Sequence, residues 1–242
     1  MPSITPYPGQ AGTKKEQVAD MFDSISERYD LLNRVLSLGI DVQWRKRVLK
    51  RLKPYAPQSI LDVATGTGDL AIGLLQLKPK EVVGLDLSPG MLAQADQKVR
   101  KRGLADRIQL LEGDSEQLPF AQDYFDAVTV AFGVRNFEQL EQGLSEMARV
   151  LKSGGVVAIL EFSRSRVPLV APLFKLYFHH ILPALGRWVS RDASAYTYLP
   201  ASVAAFPEGD EFLRILQKSG FCEAQQERLT FGICTLYTAQ KK

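Results

Sequence analysis

The stretch Ile60-Leu61-Asp62-Val63-Ala64-Thr65-Gly66-Thr67-Gly68-Asp69 constrains this chain more than any other. A short apolar run meets an acid, then a glycine-rich turn, then a sequence able to start a helix. Glycines in such a turn adopt dihedrals that a Cβ forbids and let backbone approach a ligand. The helix start behind them offers unpaired N–H groups. A second run, Val82-Val83-Gly84-Leu85-Asp86, places its own acid twenty residues beyond Gly66. Strand, turn, helix and strand in so short a span imply two parallel strands joined by a crossover helix. An acid at the tip of the second strand is where nucleotide-binding α/β folds hold a ribose diol.

The alternation continues along the chain. Strands are expected over 59–63, 82–86, 108–112, 126–132 and 156–162, with helices over 69–77, from Ser88 and Pro89 to Gly103, and over 137–151. That rhythm predicts a parallel sheet wrapped on both faces. The end departs from it. A helix over 209–218 stops at Gly220, and strands 222–229 and 232–239 turn about Phe231-Gly232, an antiparallel closing hairpin. Ahead of the first strand, apolar residues at Val18, Phe22, Ile25, Tyr29, Leu32 and Leu36 predict one helix over 14–38. Asp41 is placed to cap a further helix from Val42 to Lys53.

Two cofactor classes fit the glycine turn. Gly66-x-Gly68-x-x-Ala71 with Asp86 satisfies a loose dinucleotide fingerprint. Against it, Asp62 stands just before the turn, where a pyrophosphate would meet negative charge and an ammonium would be welcomed. The motif also begins only at residue 60. A third acid then follows a third strand, Ile108-Gln109-Leu110-Leu111-Glu112-Gly113-Asp114-Ser115. Any one of these acids alone reads as strand-end polarity. Three in register suit S-adenosylmethionine, which carries an ammonium, a ribose diol and an adenine but no phosphate. The expected architecture is that of a class I S-adenosylmethionine-dependent methyltransferase. It is a Rossmann-like, mainly parallel seven-stranded sheet with a C-terminal antiparallel hairpin and a helical lid.

Composition sets outer bounds. The 242 residues suit one domain, residues 13–242, behind a flexible tail over 1–12 that carries Pro2, Pro6, Pro8, Gly9 and Gly12. The tail lacks the apolar core of a signal peptide, and no run reaches membrane-spanning length, so a cytoplasmic protein is expected. Cys222 and Cys234, with histidines only at 179 and 180, do not form a metal site and read as reduced core thiols. A net charge of +3 is too small to indicate nucleic acid.

The segment over residues 163–206 interrupts the rhythm. It is rich in large apolar residues, among them Phe174, Tyr177, Phe178, Leu182 and Trp188. From Ser163 to Arg191 it holds five Lys or Arg and no acid. Lying after the fifth strand, it is placed to fold over the carboxyl ends of the strands, where ligands bind. One reading is an ordinary packing helix. The other is a substrate lid that also touches an anionic membrane surface, peripheral to the inner face.

Two signatures then resemble the ubiquinone/menaquinone-biosynthesis C-methyltransferase family. The first is Tyr29-Asp30-x-x-Asn33-x-x-Leu36-Ser37-x-x-x-Asp41-x-x-Trp44. The second is Arg149-Val150-Leu151-Lys152-Ser153-Gly154-Gly155, followed by Leu160-Glu161-Phe162-Ser163. Phe132-Gly133-Val134-Arg135-Asn136, Ala195-Tyr196-x-Tyr198-Leu199 and Phe206-Pro207 also match. Asp41 stands where the family often has histidine, and Ser153 where proline is usual. The likeness covers all but the tail. It implies methyl transfer to a ring carbon of a prenylated quinol, a naphthoquinol of the demethylmenaquinol or demethylphylloquinol type rather than a benzoquinol. Oligomeric state is left open, a homodimer included.

Residue roles follow as expectations. Asp62, Gly66, Thr67 and Gly68 attend the amino-acid end of the cofactor, Asp86 and Leu87 the ribose, Asp114 and Ser115 the adenine, and Ala131 borders the site. Arg135 and Asn136 follow the fourth strand and are the catalytic candidates. A guanidinium stabilises a forming phenolate and an amide orients it, while arginine stays protonated and so is no base. Tyr29, Asn33, Tyr196, Tyr198, Phe174 and Phe178 are expected around the ring, with amphipathic packing as the competing role of the tyrosines. Nucleic-acid methylation is disfavoured: there is no Asn/Asp-Pro-Pro-aromatic motif and neither cysteine follows a proline. A catalytically silent cofactor-binding partner is the third alternative.

Overall fold

The computed structural model describes residues 4–37, 39–165, 167–168, 176 and 194–242. Its frame is a sheet whose strands are β1 (Ser59–Val63), β2 (Glu81–Asp86), β3 (Ile108–Glu112), β4 (Phe125–Ala131), β5 (Leu151–Phe162), β6 (Phe221–Leu229) and β7 (Cys234–Lys241). The order across the sheet is β3-β2-β1-β4-β5-β7-β6. The first five are parallel, and β7 enters antiparallel between β5 and β6. The terminal hairpin thus closes the sheet as the sequence predicts. Strand order reverses between β1 and β4, which opens a crevice at their carboxyl ends.

Alternate residues of each strand enter opposite layers. Leu61, Val63, Val128, Val130, Val157 and Ile159 join one core with Leu144, Met147, Phe212 and Leu216. Ile60, Ala127, Val156, Ala158 and Leu160 join the other with Trp44, Val48, Leu49, Leu70 and Leu74. Both faces are therefore covered, which is why the central strands read as continuous apolar runs rather than alternating ones.

The covering helices are α1 (Lys14–Ile25), α2 (Tyr29–Leu36), α3 (Ile40–Leu52), α4 (Asp69–Leu74), α5 (Pro89–Lys101), α6 (Leu140–Val150), α7 (Ser194–Ala205) and α8 (Asp210–Lys218). Ser88 caps α5, accepting from the Met91 N–H at 3.0 Å. Two local expectations need correcting. The single helix over 14–38 is broken into α1 and α2 by a 3₁₀ turn at Ser26–Arg28. There the Ser26 hydroxyl donates to the Asp23 carbonyl at 2.9 Å, competition of the kind that serine offers a helix backbone. Asp41 does not cap α3. Gly39, at φ +75°, precedes the helix, and Asp41 lies buried in its first turn, accepting from the Ser37 hydroxyl at 2.6 Å and paired with Arg45.

A third cluster joins the N-terminal helices to the rest: Val18, Met21 and Ile25 of α1 meet Met91 of α5 and Ala195 and Tyr198 of α7. Within the stretch expected as a flexible tail, Ile4 and Tyr7 pack against this cluster, and the Tyr7 N–H donates to Gln17 Oε1 at 3.0 Å.

Candidate active site

The crevice is a solvent-open cleft of about 710 Å³. Its walls bring together Gly66, Asp86, Leu87, Asp114, Ser115, Ala131, Asn136 and Tyr29, all anticipated from sequence. A smaller adjoining cavity of about 410 Å³ is lined by Asp62, Thr67, Asn33 and Arg45, and shares Tyr29, Gly66 and Ala131 with the cleft. Gly68 lines neither and instead precedes α4 at φ +79°.

Backbone shape makes the room. Gly66 sits at φ +57°, and a Cβ there would meet nothing within 4 Å, so its face opens onto the cleft. Opposite, a Cβ on Gly133 would lie 2.6 Å from Ala64 Cβ. The turns after β1 and β4 approach so closely that only glycine fits between them.

The three acids have distinct situations. Asp62 is buried, and its two oxygens accept from the Thr65 hydroxyl at 2.7 Å and the Thr129 hydroxyl at 2.6 Å. Burial raises its pKa to about 6. It braces the turn from beneath. Asp86 accepts from the Gly66 N–H at 2.7 Å and the Ser88 N–H at 2.9 Å, and burial raises its pKa. A carboxylate offers about four acceptor positions, so capacity remains for a diol. Asp114 accepts from the Glu116 N–H at 2.8 Å and is ion-paired with Lys15 at 2.5 Å. Lys15 also pairs with Glu116 at 2.9 Å. Burial opposes the charge on Lys15, but hydrogen bonds to the two acids outweigh it and raise its pKa. The partner of Asp114 was not anticipated: Lys15 gives no local motif, and only the fold brings α1 beside β3.

The start of α2 closes over the glycine turn. Lys98 Nζ lies 2.5 Å from Asp30 and 2.8 Å from Asp69, and donates to the Thr67 hydroxyl at 2.9 Å. Thr67 in turn donates to Asp30 at 2.5 Å. Arg45 joins Asp69 at 3.2 Å. Tyr29, whose pKa burial raises, is bonded to Asn33, so both candidates sit on this closing helix.

Arg135 and Asn136 part company. Asn136 lines the cleft, and its buried Oδ1 has no hydrogen-bond partner among the described residues. The Arg135 side chain lines neither cavity. It is 7% exposed and ion-paired at 2.9 Å with Glu161, at the end of β5. Its guanidinium also donates to the Phe132 carbonyl and lies 5.7 Å from the centre of the Phe162 ring. Glu161 was missed as a site residue, although an acid ending the run Val156-Val157-Ala158-Ile159-Leu160 is a visible signal. Tyr198 is buried, with burial raising its pKa to about 12. The side chain of Tyr196 and all of Phe174 and Phe178 lie outside the described residues.

The geometry suits a nucleoside with an amino-acid tail. Asp86 and Asp114 offer acceptors along one wall, Gly66 leaves open space between them, and the smaller cavity gathers polar groups at the far end. Comparisons agree. The model of the ubiE/COQ5 methyltransferase family matches residues 10–241. A demethylmenaquinone methyltransferase of Bacteroides fragilis is 50% identical over 240 residues, covering 98% of this chain and 97% of that one. A ubiquinone/menaquinone biosynthesis C-methyltransferase, UbiE, of Geotalea daltonii is 48% identical, covering 94% and 97%. The crystal structure of a SAM-dependent methyltransferase of Thermotoga maritima superposes with a TM-score of 0.64 at 21% identity, covering 93% and 99%, a likeness of fold. Matched by the family model over nearly all its length, and carrying the cleft that a methyl donor requires, the chain belongs to the ubiE/COQ5 methyltransferase family.

Proposed function

We propose that this methyltransferase uses S-adenosylmethionine to methylate a ring carbon of a prenylated naphthoquinol of the demethylmenaquinol type. The observation that carries the reading is the single cleft in which Gly66, Asp86, Asp114 and Asn136 converge. Asp86 would hold the ribose diol, Asp114 and Ser115 the adenine edge, and the turn Gly66-Thr67 the amino-acid end. Bound there, the cofactor would supply an electrophilic methyl group. The chain's own task is to hold the ring carbon in line and exclude water. It must also stabilise the negative charge that appears on the ring oxygen as its proton leaves. Arg135, fixed behind the cleft wall by Glu161, would supply that charge, with Asn136 orienting the ring from the wall itself.

A benzoquinol is the second reading, favoured by the name of the Geotalea relative. Supplying radiolabelled S-adenosylmethionine with a lipid extract, then identifying the labelled lipid, decides between them. Label in neither a naphthoquinone nor a benzoquinone removes both.

Membrane contact at the carboxyl edge of the sheet fits a prenylated substrate. Among the described residues no helix is long and apolar enough to cross a membrane. Phe231 (66% exposed) and Val167 (37%) stand at that edge, where the Ser165 hydroxyl donates to the Phe231 carbonyl at 2.7 Å. They would form part of a docking rim; the lid expected over 163–206 lies mostly outside the described residues. Phe231→Ser should reduce sedimentation with anionic vesicles, while unchanged sedimentation would remove this rim.

A further inference from the structure

Two buried donors beside the cleft lack acceptors. Arg135 Nε and the Tyr198 hydroxyl are both screened from solvent and both without a hydrogen-bond partner among the described residues. Unmet buried donors are costly and call for an explanation. Arg135 Nε can only donate and the Tyr198 hydroxyl can donate as well, so one acceptor oxygen would serve both. They are also neighbours in the fold: α7, which carries Tyr198, packs against the 3₁₀ turn Val134–Asn136, which carries Arg135.

Glu161 explains why the guanidinium stands as it does. The carboxylate is fully buried at the end of β5. It accepts from Arg135 Nη1 and from the Phe162 N–H at 2.8 Å, and its other oxygen takes the Arg135 backbone N–H at 3.4 Å. One acid therefore holds both the side chain and the peptide of the turn that follows β4. With Nη1 bound to Glu161 and to the Phe132 carbonyl, and the Phe162 ring nearby, the guanidinium is fixed and its Nε is left over.

We infer that Glu161 is a positioning residue for the methyl transfer. It fixes Arg135 so that Arg135 Nε and the Tyr198 hydroxyl form a two-donor site for the ring oxygen that becomes negative. The inference rests on the quinol reading above. In the step it serves, the ring hydroxyl loses its proton to water, the carbon–methyl bond forms as the sulfur–methyl bond breaks, and the ring carbon's hydrogen then leaves as a proton while the oxygen regains one. Neither Arg135 nor Tyr198 gives up a proton; both donate hydrogen bonds to the charge as it grows.

The test uses the full chain, S-adenosylmethionine and a reduced tailless naphthoquinol under anaerobic conditions. Glu161→Gln should lower kcat about thirtyfold or more, with the cofactor Kd and the quinol KM within about threefold of wild type. Tyr198→Phe should lower kcat about tenfold. It removes only an unpartnered hydroxyl, so its melting temperature should match or exceed wild type. The double variant should lose little more than Glu161→Gln alone, because Tyr198 helps only an oxygen that Arg135 is in place to share. Wild-type kcat in Glu161→Gln overturns the inference. So does a parallel loss of cofactor affinity, which marks Glu161 as mere scaffolding, and so do fully multiplicative losses in the double variant. If Glu161→Gln does not fold, Tyr198→Phe decides alone: unchanged kcat overturns the oxygen site. A wild-type chain that binds cofactor but methylates no reduced quinol overturns the quinol reading itself, and the inference with it. Activity in wild type with no effect in the variants overturns only the inference.

Discussion

Asp86→Ala tests the cofactor site most directly, because that carboxylate braces the turn and, in the proposed reading, would also hold the ribose diol. It accepts from the Gly66 N–H at 2.7 Å and the Ser88 N–H at 2.9 Å. With ligand bound it would also accept from the ribose diol. Hydrogen bonds to a charged group contribute about 1.5–3 kcal/mol each, and a buried donor left unpaired costs about 1–3 kcal/mol. Losing the diol bonds should therefore weaken cofactor binding by about 2–3 kcal/mol, thirty- to more than a hundredfold in Kd. Orphaning the two N–H groups should lower the unfolding free energy by a further few kcal/mol at most, since water reaches a half-open cleft. Titration calorimetry with S-adenosylmethionine measures the first effect and urea denaturation without ligand the second. Wild-type affinity in a destabilised variant would show that Asp86 only braces the turn. Saturable binding of NADH in place of S-adenosylmethionine would restore the dinucleotide reading.

Three further perturbations follow from the same geometry. The pKa of Asp62 is raised to about 6 in the fold, so the native state binds the extra proton and stability falls as pH rises from about 4 to 6, then levels. Asp62→Asn should flatten that slope in urea denaturation between pH 4 and 7, and parallel curves for the two proteins would refute it. Gly133→Ala places a Cβ 2.6 Å from Ala64 Cβ and 3.0 Å from Val130 Cγ1, neither on a flexible side chain; a loss of about 1–3 kcal/mol should follow, read by thermal melting, and an unchanged melting temperature would contradict the close approach. Lys98→Met removes the bridge to Asp30, Asp69 and Thr67. These partly exposed pairs should contribute only about 1–2 kcal/mol together, so hydrogen exchange in α2 should quicken without global unfolding, and unchanged exchange would deny the clasp.

Much of the frame was legible because its signals are local and periodic. The five parallel strands, the glycine turn, the Ser88 cap and the closing hairpin each rest on residues close in sequence. The errors lie where short-range competition decides. Ser26 diverts the helix backbone to itself, and Gly39 takes the position next to α3 that Asp41 was expected to hold, leaving Asp41 to be neutralised by Arg45. The site shows the same division. Asp86 and Asp114 are visible as strand-end acids, whereas Lys15 and Lys98, which pair with the site's acids, come from helices 99 and 29 residues away in the chain from Asp114 and Asp69. Such partners carry no motif, because a lysine on a helix face looks the same whether it meets water or an acid.

The acids around the cleft brace its walls. Asp62 and Asp86 hold the glycine turn through hydroxyl and N–H donors, so the surface presented to a ligand is rigid before the ligand arrives. Rigidity of this kind reduces the ordering cost of binding. Asp62 stays buried beneath the turn and sets its shape, while Asp86 stands at the cleft wall, where a ligand could meet it. Arg135 repeats the pattern on the neighbouring strand. Glu161 holds one side of the guanidinium from below, and the donor left over is what a developing negative charge would meet. The fold thus places each charge that would act on a ligand next to a second charge or dipole that fixes its direction.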